Sequence, residues 1–240
     1  MDFPRGTIKE VMFNSSELAE QIELLIYLPA NFSPLYKYSL LIAQDGRDYF
    51  QLGKIGRLAD EYLSKRKIEN LIIVGIPYKD VQDRRRKYHP EGERNEKYIR
   101  FLAHELVPYL DHEFPTYQMG STRALIGDSL GATVSLLTAL YYPYTFGKVL
   151  LQSPYVDHNV LDMVEAYTNP SLLEIYHIIG TRETEVQTTN GLVSDFLTPN
   201  RELSKMFTEK QFTYFYEEFA GNHTWTYWQL DLRRALKIMF

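Results

Sequence analysis

Apolar residues in this chain gather in short solid runs, separated by longer stretches in which they recur every three to four positions. The runs LIIVGI (71–76), RALIG (123–127), KVLLQ (148–152) and IYHII (175–179) are nearly unbroken, as in strands covered on both faces. SLLIA (39–43) and FTYFYEEF (212–219) also read as strands, and Gly6–Phe13 with Gln21–Leu28 form a pair at the N-terminal end. Helices are predicted at about 52–66, 94–113, 129–142, 199–209 and 224–238. In the last of these, Trp225, Trp228, Leu232, Ala235 and Met239 share one face, while Arg233, Arg234 and Lys237 fall elsewhere. That helix should dock on a sheet, with its tryptophans near one end. Strand–helix alternation predicts an α/β fold: a mostly parallel central sheet with helices on both faces and an antiparallel N-terminal edge. No repeat and no Gly-, Pro- or Ser-rich linker divides the order, so residues 1–240 read as one domain.

Composition narrows the function classes. With 240 residues, 45% of them hydrophobic, the chain can bury one large core. A net charge of −5 argues against nucleic acid as a partner. Cysteine is absent, which excludes disulfides, a thiolate nucleophile and cysteine metal ligands. No run approaches about 18 consecutive apolar residues, and Met1-Asp2-Phe3-Pro4-Arg5 lacks the basic-then-apolar pattern of a signal peptide. A cytoplasmic protein without a membrane span is therefore expected. Nineteen tyrosines and thirteen phenylalanines suit aromatic-lined pockets and a large core equally.

The stretch RALIGDSLGATVSLL (123–137) raises the chemical question. A buried strand becomes a buried helix within about two residues, through Gly127-Asp128-Ser129-Leu130-Gly131. This is Gly-x-Ser-x-Gly at a strand end and a helix start, the context of a nucleophile elbow. Such a turn lifts the serine hydroxyl clear of the sheet and aims the Leu130 N–H at an oxyanion formed on attack. The alternative is a glycine-rich turn with a capping serine. The Gly-Asp-Ser-Leu lipase pattern does not fit, because Ser129 is mid-chain and Ala220, not Asp, stands three before His223.

A serine hydroxyl needs a base. Of His89, His104, His112, His158, His177 and His223, the last fits best: it follows the 212–219 strand in the turn AGNHTW and precedes the final helix. His158 is the second candidate. His104-Glu105 begins like a zinc-protease helix, but Pro108 occupies the second histidine's place, so no metal is expected. The orienting acid should follow a strand between Ser129 and His223, where Glu183, Glu185 and Asp195 are the candidates and Glu183 lies nearest a strand end. A second oxyanion donor is expected after the 39–43 strand, where Gly46 permits a turn and the Arg47 N–H follows.

LLIAQDGRDYF, IGDSLGA, IIGTRE and GNHTWTYW together resemble the putative-esterase family, which is similar to esterase D, S-formylglutathione hydrolase, enterochelin esterase and the mycolyltransferase antigens. The resemblance spans about residues 20–238. It implies a lidless α/β-hydrolase fold acting on ester bonds, with Ser129 as nucleophile, His223 as base, Glu183 as acid, and Arg47 and Leu130 as backbone oxyanion donors. It implies no cofactor, and a small-molecule ester as the partner. The cysteine-containing oxyanion loop of S-formylglutathione hydrolases is missing, and so is the N-terminal domain of the fuller enterochelin esterases. The basic run DVQDRRRKYHP (80–90) follows the 71–76 strand, on the side where such sheets bind ligands. It reads either as a solvated loop or as a surface for an anionic substrate such as a catecholate siderophore ester. An acyltransferase using the same triad, or a non-catalytic binding protein on the same fold, would share these features.

Overall fold

A computed structural model describes residues 3–240. Its strands are β1 (Thr7–Ser15), β2 (Glu20–Leu28), β3 (Ser39–Gln44), β4 (Leu71–Ile76), β5 (Arg123–Asp128), β6 (Lys148–Gln152), β7 (Glu174–Gly180), the short hairpin β8 (Val186–Gln187) and β9 (Val193–Ser194), and β10 (Thr213–Phe219). Eight of them form one sheet in the order β1-β2-β4-β3-β5-β6-β7-β10. β1 and β2 are antiparallel, as are β2 and β4; every other neighbouring pair is parallel. The mostly parallel sheet and its antiparallel N-terminal edge are as the patterning predicts.

The solid apolar runs have a simple cause. Every residue of β3, β4 and β5 is buried, because side chains alternate between two covered faces. Leu40, Ile42, Ile72, Val74 and Leu125 enter one core. Leu41, Ala43, Leu71, Ile73, Ala124 and Ile126 enter the other.

The helices are α1 (Gly46–Gln51), α2 (Ile55–Ser64), α3 (Val81–Tyr88), α4 (Asn95–Arg100), α5 (Val107–Glu113), α6 (Leu130–Tyr141), α7 (His158–Ala166), α8 (Leu197–Glu209) and α9 (Trp225–Met239). Residues of α3, α6, α7 and α8 fill the first core; those of α2 and α9 fill the second. Trp228, Leu232, Ala235 and Met239 of α9 are buried, the face that periodicity assigned to docking.

Several stretches depart from the predicted pattern, and α7 is a helix that patterning does not predict. The 52–66 helix is α2, starting at Ile55 after Lys54 in a left-handed conformation, and a separate helix the patterning does not predict, α1, precedes it. The 94–113 helix contains a π-wound segment, Phe101–Leu106, between α4 and α5. There the Val107 N–H reaches back to the Leu102 carbonyl, and Pro108 has no N–H to give. The 80–90 run is no loop: its centre is α3, capped by the Asp80 carboxylate accepting the Asp83 N–H at 2.7 Å. Among the described residues, no helix is long and apolar enough to cross a membrane.

Candidate active site

Ser129 joins β5 to α6 at φ 53°, ψ −127°, a backbone region that costs a non-glycine residue strain. The surroundings hold it there: its N–H donates to the Gln152 carbonyl at 2.9 Å and its carbonyl accepts the Thr133 N–H at 3.1 Å. The flanking glycines are dictated by closeness. A Cβ on Gly127 would lie 2.1 Å from the Gly131 carbonyl carbon, and one on Gly131 would lie 3.0 Å from an Asp45 carboxylate oxygen. Ser129 is half-buried, and Leu130 opens α6, where first-turn N–H groups have no partner within the helix.

Strand register brings the later residues to the same end of the sheet. Asp128 pairs with Gln152, and Phe219 with Gly180, so the chain leaves all four parallel strands side by side. Glu183, three residues past Gly180, is wholly buried. Its Oε2 is 2.6 Å from Nδ1 of His223, which lies in the turn between β10 and α9. Its Oε1 accepts from Ser153 Oγ at 2.7 Å and from the Gly180 N–H at 2.9 Å. Edge-on rings of Phe196 and Trp228, with centroids 4.6 and 4.9 Å away, fix the imidazole plane. Glu185 is exposed, and Asp195, just before α8, accepts the Thr198 N–H at 3.1 Å.

The histidines fall in different surroundings. His104 is exposed and bonded to the Tyr142 hydroxyl; His112 is exposed beside Glu113. His177 is buried in β7 between Tyr214 and Asn200. His158 starts α7 at the rim of the same cavity that Ser129 and His223 line.

On the other side of Ser129, the β3–α1 turn differs from the expected one. Asp45, not Gly46, takes the left-handed conformation, at φ 53°. Gly46 is needed instead because β4 crosses it: a Cβ there would lie 2.3 Å from the Gly75 carbonyl carbon. Arg47 follows in the first turn of α1, with its side chain turned outward onto Glu23. Buried Asp45 is clasped by Arg84 from α3, whose Nη2 also donates to the Asp128 carbonyl at 3.2 Å. Burial works against the Arg84 charge, but Asp45 keeps its pKa above the ordinary guanidinium range. Asp128 itself is buried, and burial followed by the Asp45 charge raises its carboxyl well above the usual range.

These contacts correct the reading of the basic run. Arg84 is occupied with Asp45, and Lys87 is buried between Asp83 and Glu20. Arg86 pairs with Asp83 and Glu93. Arg85 and His89 are left to line the cavity beside Ser129, a space of about 340 Å³ that the β8–β9 hairpin walls on the opposite side. Neither that hairpin nor Ser153 was marked by periodicity. Ser153 did carry a weak signal, standing one residue past β6 as Ser129 stands past β5. Among the described residues, no group of three or more His, Asp or Glu side chains is arranged to hold a metal ion.

The sheet order, the strained serine elbow and the bonded acid–histidine pair define the class: an α/β-hydrolase fold. Within that class the chain belongs to the Putative esterase family, whose model matches residues 15–239. It is 57% identical over 234 residues to Uncharacterized protein YjcH of Bacillus subtilis (strain 168), covering 98% of each chain. The structure is similar to that of the enterobactin esterase FES from Shigella flexneri, with a TM-score of 0.84 and 18% identity, over 97% of this chain and 58% of that one. It is similar as well to a ferulic acid esterase, with a TM-score of 0.75 and 15% identity, over 99% of this chain and 98% of that one. At those identities the structural likeness speaks for the fold.

Proposed function

We propose that this esterase-family protein is a serine carboxylesterase working through an acyl-enzyme. The observation that carries the reading is the 2.6 Å contact between His223 Nδ1 and buried Glu183, with Ser129 and His223 on the wall of one cavity. Glu183 fixes the tautomer with the proton on Nδ1, which leaves Nε2 free to act as base. Ser129 Oγ attacks the ester carbonyl as its proton passes to Nε2. The resulting imidazolium is stabilised by the Glu183 carboxylate. Charge on the former carbonyl oxygen is met by the backbone N–H groups of Leu130 and Arg47, and by the N-terminal end of α6. His223 then gives its proton to the departing alcohol oxygen. Water, deprotonated by the same nitrogen, attacks the acyl-enzyme and releases the acid, restoring Ser129.

The cavity favours small or aromatic acyl esters, including siderophore-type esters. Tyr155 and Phe196 offer apolar ring surface, and Arg85 offers a cation to an anionic group. Similar folds belong to proteins named as an enterobactin esterase and a ferulic acid esterase, and ferulic acid is an aromatic acid. Treatment with a fluorophosphonate probe, followed by peptide mass analysis, tests the nucleophile. The expected result is one adduct, on the peptide carrying Ser129. An unlabelled Ser129 in folded protein would favour a binding role instead.

A further inference from the structure

Glu183 is held by more than its histidine. Ser153 is wholly buried and sits at φ 50°, strained for any residue but glycine. Its N–H donates to the Ile178 carbonyl at 2.8 Å, which locks the strained turn to β7. Its Oγ has two partners: Glu183 Oε1 at 2.7 Å and Trp228 Nε1 at 3.1 Å.

We infer that Ser153, with its hydroxyl aimed by Trp228, is a positioning residue that fixes the Glu183 carboxylate against His223. This rests on the reading of Glu183 and His223 as a catalytic pair. The direction of each bond follows from donor chemistry. An indole nitrogen only donates, and an ionised carboxylate only accepts. The single hydroxyl proton of Ser153 must therefore point at Glu183, because its lone pair already receives the Trp228 N–H. Oε1 thus takes two donors, Ser153 and the Gly180 N–H, and Oε2 is left to His223. Neither oxygen can exchange places without breaking a buried bond.

Trp228 serves both ends of the pair. Its ring edge meets the imidazole while its nitrogen sets the hydroxyl. It is anchored in turn by Gln152, whose Nε2 donates to the Trp228 carbonyl at 3.1 Å, and Gln152 accepts from the Tyr49 hydroxyl at 3.0 Å. A serine kept where glycine would be unstrained is what such a role requires. Removing its hydroxyl leaves Oε1 with only the Gly180 donor, and the carboxylate gains freedom to swing from His223.

Ser153→Gly is the discriminating variant, because it deletes the hydroxyl and relieves the backbone at once. Trp228→Phe is the second, keeping a ring against His223 while losing the donor. Turnover of p-nitrophenyl acetate is measured together with the far-downfield proton resonance of His223 Nδ1–H, which a merely structural role would not move. Ser153→Gly should remain folded, lose about tenfold or more in kcat with KM within twofold, and shift that resonance upfield. Trp228→Phe should move both readings the same way by less. Should Ser153→Gly fail to fold, Trp228→Phe decides by the same readings. An unmoved resonance, or a kcat within twofold of the parent, overturns the inference. Because the resonance reports the Glu183–His223 bond without turnover, it stays informative even if Ser129→Ala shows the esterase reading to be wrong.

Discussion

The Arg84 guanidinium lies across the Asp45 carboxylate, with Nη2 2.6 Å from Oδ2 and Nε 2.9 Å from Oδ1. Through its further bond to the Asp128 carbonyl, Arg84 ties the turn before Arg47 to the turn before Ser129 and Leu130. It acts as a strut between the two halves of the proposed oxyanion site. Arg84→Met would leave a buried carboxylate unpaired and should cost about 3–5 kcal/mol in urea unfolding. Pairing it with Asp45→Asn should restore part of that loss, as expected of partners in one ion pair. A double variant no more stable than Arg84→Met alone would contradict the strut.

Gly127→Ala and Gly131→Ala should differ sharply. The first pushes a methyl to 2.1 Å from backbone that cannot retreat without opening the β5–α6 crossing. Its cost should exceed about 4 kcal/mol, seen as loss of soluble folded protein. The second meets the Asp45 carboxylate at 3.0 Å and Gln44 Cβ at 3.2 Å, and should cost about 1–3 kcal/mol. Thermal melting of the two variants checks the order.

The three carboxylates that chain order offered separate in one experiment. Glu183→Gln puts an amide where His223 needs an acceptor and should lower kcat on the order of 10⁴-fold with the fold intact. Glu185→Gln removes an exposed acid, and Asp195→Asn keeps an oxygen that can accept the Thr198 N–H, so both should stay within twofold of the parent. Steady-state kinetics with p-nitrophenyl acetate reads all three.

His177 should make stability fall in acid. Burial, opposed by its bond to Asn200, pushes the imidazole down to about 4 from an ordinary value of 6.5. Tyr214 and Tyr216 pack against it, and its neutral form accepts the Tyr214 hydroxyl proton on one nitrogen and donates to Asn200 from the other. Between those two pH values the unfolded chain binds the proton and the folded protein does not. Stability is therefore lost as pH drops from 6.5 to 4, by roughly 3 kcal/mol in all from this group. Melting temperature against pH, compared with His177→Gln, should show a steeper acid decline in the parent.

What could be read from the chain divides by range. Leu71–Ile76 announces itself as a covered parallel strand because each of its residues is buried, and the Ser129 elbow because its glycines stand two positions to either side. Those are local constraints. Arg84 could not be placed, because its partners lie 39 and 44 residues away and a basic run looks solvated until tertiary closure desolvates part of it. Ser153 meets Glu183 across 30 residues and Trp228 across 75, and only the β5–β6–β7 register brings them together. The choice of Asp45 over Gly46 for the left-handed turn was equally hidden, since the need for glycine came from β4 crossing behind it.

If the Ser129 hydroxyl is the nucleophile, turnover of p-nitrophenyl acetate depends on its single oxygen, and Ser129→Ala is the variant to measure. The substitution removes one oxygen from a half-buried side chain. Ser129→Ala should remain folded while its kcat drops on the order of 10⁶-fold. A variant that still turns over within tenfold of the parent would contradict that role for Ser129.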